Sequence, residues 1–166
     1  MATEKLKFKI ELYSTFWDKL PIAKILVNNK SYFNNTINST KEKPTIIEFE
    51  HSCEEGKQHN LVIDRSGKDD KQTILTDGKI TKDQLLHIKL IEIDEIELGN
   101  LVFEGIYQPE YPEPWATQQK EEGNELPKTL KNINKLGHNG TWTFTFTSPF
   151  YMWFLEKMHS PSNTFI

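Results

Sequence analysis

Much of the chain alternates apolar and polar residues with the two-residue period of a strand that buries one face. Phe8, Ile10 and Leu12 alternate with Lys7, Lys9 and Glu11. Ile22 to Val27 is a second extended run. Asn28-Asn29-Lys30 then marks a turn, because asparagine tolerates positive φ, and Ser31-Tyr32-Phe33 is its returning strand. From Thr45 to His51, Ile47 and Phe49 share one face while Ile46 and Glu48 lie on the other. Glu55-Gly56 is a turn, and Gln58 to Asp64 forms a short strand. Residues 65–83 are polar, acidic and punctuated by glycine, which predicts a loop or loose hairpin turning at Asp77-Gly78. Leu85 to Ile93 is strongly β, with Leu86, Ile88, Leu90 and either Ile91 or Ile93 on the apolar face. Asp94-Glu95 interrupts it, and residues 96–103 continue extended with a bend at Gly99-Asn100.

The pattern changes at Tyr107. Three prolines within Gln108-Pro109-Glu110-Tyr111-Pro112-Glu113-Pro114-Trp115 remove backbone donors and fix φ, so this stretch predicts no regular sheet. Pro114 opens a short helix over Trp115 to Glu122, closed by Gly123. Strand periodicity returns from Gly140 to Thr147, with Trp142, Phe144 and Phe146 on one face and threonines on the other. Ser148 then caps a helix from Phe150 to Met158 that stops at His159-Ser160-Pro161.

Short strands separated by turn signals every 8–12 residues predict a mainly β fold, an antiparallel β-sandwich or jelly roll. A proline-aromatic excursion and a short C-terminal helix complete it. The expected organisation is a sandwich over residues 1–104, an excursion with a short helix over 105–139, and a returning strand and helix of the same domain over 140–166.

Composition narrows the function classes. The 166 residues carry 24 acidic and 20 basic side chains, a net charge of −4, with Arg65 as the single arginine. Nucleic-acid binding depends on clustered cations, and the arginine fork is its commonest tool, so direct nucleic-acid contact is not expected. No apolar run approaches the roughly 20 residues of a membrane-spanning helix. The N-terminus leads straight into alternating charge rather than an apolar leader, which points to synthesis in a cytoplasm.

No nucleotide-binding, nucleophile-elbow or metalloprotease motif occurs. His51, Cys53 and His59 are close in sequence but lack a fourth zinc ligand. Asp64, Asp69, Asp70, Asp77 and Asp83 surround one long connection, a carboxylate supply suited to calcium, although Lys68, Lys71, Lys79 and Lys82 offset it. Trp17, Tyr107, Tyr111 and Trp115 fall in predicted loops. There they offer either stacking platforms for sugar rings or anchors for a protein partner.

Two stretches carry a resemblance. His59-Asn60-Leu61-Val62-Ile63, the acidic glycine-containing loop, and Lys82-Asp83-Gln84-Leu85-Leu86-His87-Ile88-Lys89-Leu90 resemble calcium-dependent xylan-binding carbohydrate-binding modules. In those modules an aromatic follows the acidic residue, whereas Gln84, Leu85 and Leu86 follow here. The aromatic-proline segment from Tyr107, the Asn139-Gly140-x-Trp-x-Phe-x-Phe strand and the closing helix resemble structural proteins of marine T4-like tailed phages. The resemblance implies a non-enzymatic virion component, a head-decoration, neck or tail-associated protein. It would be oligomeric in its assembly and would act by docking on other virion proteins. The alternative that it implies is a calcium-dependent module recognising a host surface glycan. By the same resemblance Asp69, Asp70 and Asp83 are the candidate calcium ligands. Trp17, Tyr107, Tyr111 and Trp115 are the candidate ligand or partner contacts.

Overall fold

The computed structural model describes residues 2–159. The expected helix stop beyond His159 and the tail to residue 166 lie outside the described residues. Among the described residues twelve strands are formed: β1 (Thr3–Thr15), β2 (Ile22–Val27), β3 (Lys30–Thr36), β4 (Thr45–Glu54), β5 (Gln58–Ser66), β6 (Ile74–Thr76), β7 (Lys79–Lys82), β8 (Leu85–Ile93), β9 (Ile96–Glu97), β10 (Ile106–Pro109), β11 (Lys135–Leu136) and β12 (Gly140–Thr147). Helix α1 spans Trp115–Glu121 and α2 spans Phe150–His159.

One antiparallel sheet runs β11-β8-β1-β4, with β9 paired to β8, and the second runs β10-β12-β5-β2-β3. Their inner faces form one core. Leu6, Phe8, Ile10 and Leu12 of β1 and Leu86, Ile88, Ile91 and Ile93 of β8 meet Ala23, Ile25 and Val27 of β2, Leu61 and Ile63 of β5, and the aromatics of β12. Across the interface the Phe8 and Phe146 rings lie 6.2 Å apart. The expected sandwich is therefore present. The turn expected at Asn28-Asn29 joins β2 to β3 with both asparagines at positive φ, 49° and 71°, the geometry that matches strand twist in a tight hairpin.

Several expectations are corrected. The apolar phase of β8 does not run unbroken through Leu90. Glu11 pairs with Leu90 but Leu12 pairs with Ile88, and the bulge that leaves Lys89 unpaired shifts the buried set to Ile91 and Ile93. Residues 99–104 are not extended but form a 3-10 helix that buries Leu101 and Val102. The excursion also begins and ends inside the sheets. β10 pairs with β12 and β11 pairs with β8, and Pro109 is tolerated because it ends its edge strand. Pro114 is the N-cap of α1 rather than its first residue. Ser148 is not the donor-satisfying cap of α2. The Glu4 carboxylate of β1 accepts the Phe150 amide at 2.6 Å and also the Ser148 hydroxyl, so the first strand caps the last helix.

α2 lays Phe150, Trp153 and Phe154 against the core and turns Tyr151 and Met152 outward, 58% and 57% exposed. Among the described residues, no helix is long and apolar enough to cross a membrane.

Candidate functional site

Three segments converge at one end of the sandwich: the loop after β5, the chain leaving β10, and residues 137–139 before β12. Arg65, the last inward residue of β5, organises them. It is fully buried, and its guanidinium donates to Gln84 O at 2.7 Å, Leu136 O at 3.3 Å and Asn139 Oδ1 at 3.0 Å. Burial lowers its pKa to about 10, which leaves it charged at neutral pH. Asn139 returns the contact to the loop: its Oδ1 accepts from the Lys68 amide at 3.0 Å and its Nδ2 donates to Lys68 O at 2.8 Å.

A second cation lies beside the first. Lys68 Nζ donates to Asp83 Oδ1 at 2.8 Å and to Gly137 O at 2.6 Å, with only 9% of the lysine side chain exposed. The same Asp83 oxygen accepts Thr73 Oγ1 at 2.7 Å and the Gln84 amide at 2.8 Å. Burial by itself raises the Asp83 pKa. The hydrogen bonds from Lys68, Thr73 and the Gln84 amide outweigh it and hold the carboxyl below its usual range.

The network positions a ring of aromatics. Tyr107 donates its hydroxyl to His138 O and accepts the His138 amide at 3.0 Å, which fixes the backbone beneath the His138 ring. That ring lies 5.1 Å from Tyr111, edge to face, and 5.9 Å from Trp115, stacked. Tyr111 is held in turn by a 2.5 Å hydrogen bond to Pro127 O. Burial lowers the His138 pKa, and the Lys68 and Arg65 charges lower it further, so the imidazole is neutral at neutral pH. In front of these rings opens a cleft of about 190 Å³ bordered by Asp69, Glu110, Tyr111, His138 and Asn139. It is smaller than the roughly 300–1,000 Å³ that encloses a drug-sized molecule, so it has room for one ring of a longer ligand. A more open depression of about 510 Å³ lies along residues 123–127 and presents no aromatic ring.

The four aromatic candidates separate. Tyr111 borders the cleft, and Trp115, at 36% exposure, packs 6.1 Å from its ring without lining the cleft itself. Tyr107 is not in an exposed loop but buried at 1%, because β10 pairs with β12 and turns it inward. Trp17 lies elsewhere, its indole donating to Gln72 O at 2.7 Å with Lys82 Nζ 4.5 Å above its ring. His138 was not among the candidates. Its neighbour Asn139 and the flanking glycines mark a turn in the sequence, but only tertiary pairing shows what faces it.

The carboxylates expected to bind calcium are engaged by donors of the chain or exposed, and they are not gathered together. Asp83 Oδ1 is engaged by three donors. Asp69 accepts the Lys71 amide at 2.8 Å and lies 3.8 Å from Lys19 Nζ, while Asp70 is exposed. Among the described residues, no three of His, Cys, Asp and Glu are grouped to hold a metal ion. Neither do His51, Cys53 and His59 assemble a zinc site. His51 pairs with the Tyr32 hydroxyl, and His59 bonds Asn28 Nδ2 at 2.6 Å and Glu54 O at 2.9 Å. The Cys53 thiol is buried, and burial raises its pKa to about 11, which removes it as a nucleophile.

No protein-family model matches the chain, and no curated protein does. Two solved structures resemble it. One is vCBM60 in complex with galactobiose, 8% identical over 83% of this chain and 96% of that one, with a TM-score of 0.45. The other is a selenomethionine form of vCBM60, described with a circular permutation linking two families of calcium-dependent carbohydrate binding modules. It is 8% identical over 84% of this chain and 89% of that one, with a TM-score of 0.46. A likeness of this degree carries neither fold nor function over to the chain, whose fold rests on its own strand pairing.

Proposed function

We propose that the chain is a non-catalytic glycan-binding module, and that the cleft between Tyr111 and Asn139 takes one sugar ring of an oligosaccharide. The observation that carries the reading is the juxtaposition of the Tyr111 and His138 rings with Asp69, Glu110 and Asn139 around one open cleft, with the Trp115 ring packed 5.9 Å from His138. Aromatic faces stack on the C–H face of a sugar, while carboxylate and imidazole groups accept or donate to its hydroxyls. A neutral His138 offers both a donor and an acceptor. The nearby carboxylates serve as hydrogen-bond acceptors, and the ionised Asp83 is already committed to Lys68.

Calorimetric titration with xylo-oligosaccharides and with galactobiose checks the reading. Binding of either is expected to weaken up to about tenfold in Tyr111→Ala, the worth of one aromatic contact, while the unfolding midpoint stays near that of the wild type. Failure of both sugars to bind, or binding indifferent to Tyr111, would overturn it.

A second reading, a virion component that docks on its neighbours, rests on different residues. Tyr151 and Met152 project from α2 at more than half exposure, a place where subunit contact would cover apolar surface. Sedimentation velocity is expected to show self-association that Tyr151→Ser with Met152→Ser abolishes; a monomer at all concentrations contradicts it.

A further inference from the structure

The loop that the resemblance assigns to calcium contains a cation of its own. Calcium takes six to eight oxygens at about 2.3–2.6 Å, each offering a lone pair. Asp83 Oδ1 instead receives hydrogens from Lys68 Nζ, Thr73 Oγ1 and the Gln84 amide. Lys68 Nζ takes a second oxygen from Gly137 O at 2.6 Å. Its backbone is locked on both sides by the Asn139 side chain. The buried Arg65 guanidinium, bound to the same Asn139, adds a further positive charge that opposes a divalent ion here.

We infer that Lys68 is a built-in cation: its ammonium gathers Asp83 and Gly137 as a metal ion would gather oxygen ligands, and closes the 67–73 loop onto residues 137–139 without calcium. Lys68 is thus a positioning residue for the segment that presents His138 and Asn139 to the cleft. The ammonium has advantages over a bound ion. It is covalently attached, so the loop stays closed at any calcium concentration, and no ligand need be recruited. The inference stands on the loop itself and does not depend on whether the cleft takes a glycan.

Thermal unfolding reads it directly. The wild-type midpoint is expected to be the same in excess calcium and in excess chelator. A calcium-binding loop would give a rise of roughly 5–10 °C at saturating ion, and that rise overturns the inference. Lys68→Ala is expected to lower the midpoint by roughly 5–15 °C, because it removes the ion-pair partner of the part-buried Asp83 and leaves it only the Thr73 and Gln84 donors. Added ethylammonium, which replaces the lost head group in the space vacated, is expected to recover part of that fall. Lys68→Met, which fills the space without charge, is expected to fall as well but to show no recovery. Equal responses of the alanine and methionine variants to ethylammonium, or an alanine variant as stable as the wild type, would contradict the cation role. Should Lys68→Ala fail to fold, the wild-type comparison of calcium and chelator still decides whether the loop takes a metal.

Discussion

Arg65→Ala is expected to destabilise the chain by about 3–5 kcal/mol, measured as the loss in unfolding free energy from urea titration. Arg65 is the single arginine of the sequence and is fully buried between the sheets. Two effects add. Removing the side chain leaves a cavity among β5, β8 and β11, and it strips Gln84 O of its 2.7 Å donor and Leu136 O of its 3.3 Å donor. A buried carbonyl left unpaired costs about 1–3 kcal/mol. Asn139 Oδ1 suffers less, since the Lys68 amide still donates to it. Arg65→Met separates the effects: it refills most of the volume and is expected to recover about half of the loss, the remainder being the unpaired carbonyls. Against a typical total of about 5–15 kcal/mol, the alanine variant is expected to be marginal at 37 °C. An alanine variant within about 1 kcal/mol of the wild type would show that the guanidinium is dispensable to the junction.

Gly140→Ala is the second large effect, and it couples fold to site. A Cβ on Gly140 would sit 2.2 Å from Gln108 O and 2.9 Å from the Pro109 Cα. Both are backbone atoms of β10, whose last pair is Pro109 with Gly140, so no rotamer change relieves the contact. Edge strand β10 has to move off β12, and Glu110 and Tyr111 follow Pro109 directly in the chain. The expected loss is about 3 kcal/mol, at the upper end of overpacking costs, together with loss of sugar binding beyond that of Tyr111→Ala. A normal melting midpoint with intact sugar binding would mean that β10 can shift without disturbing the cleft.

The parts of the fold legible in the sequence are those whose signal is local. β2 and β12 begin and end where alternation does, at Ile22–Val27 and Gly140–Thr147, because each strand buries one face and the side-chain period is fixed; β8 keeps its expected ends, Leu85–Ile93, but its bulge shifts the phase within them. The hairpin at Asp77-Gly78 and the short helix after Pro114 carry their own turn and cap residues. What was not legible depends on partners far along the chain. β10 looks unfit for a sheet by its proline, and only the pairing with β12 explains why Tyr107 turns into the core. The 3-10 helix was announced by the three- and four-residue spacing of Leu98, Leu101 and Val102, all buried, a helical period that strand alternation on either side obscured.

The site was half legible. Tyr111 and Trp115 stood out as aromatics among prolines; Tyr111 borders the cleft, and Trp115 packs against its ring. The acidic loop suggested metal, but the decisive residue in it is basic: Lys68 meets Asp83, 15 residues away, and Gly137, 69 residues away. A count of charges along the chain treats Lys68 as one of several neutralising lysines. Its burial and pairing are properties of the folded loop alone.

The most direct test of the glycan-binding reading is a two-dimensional amide and indole NMR titration with xylo-oligosaccharide and galactobiose. Concentration-dependent shifts are expected, confined to the Tyr111 and His138–Asn139 amides, the Trp115 indole packed beside them and their immediate neighbours. Absence of shifts with either sugar, or shifts centred on Trp17 or on α2 with the cleft silent, would contradict it.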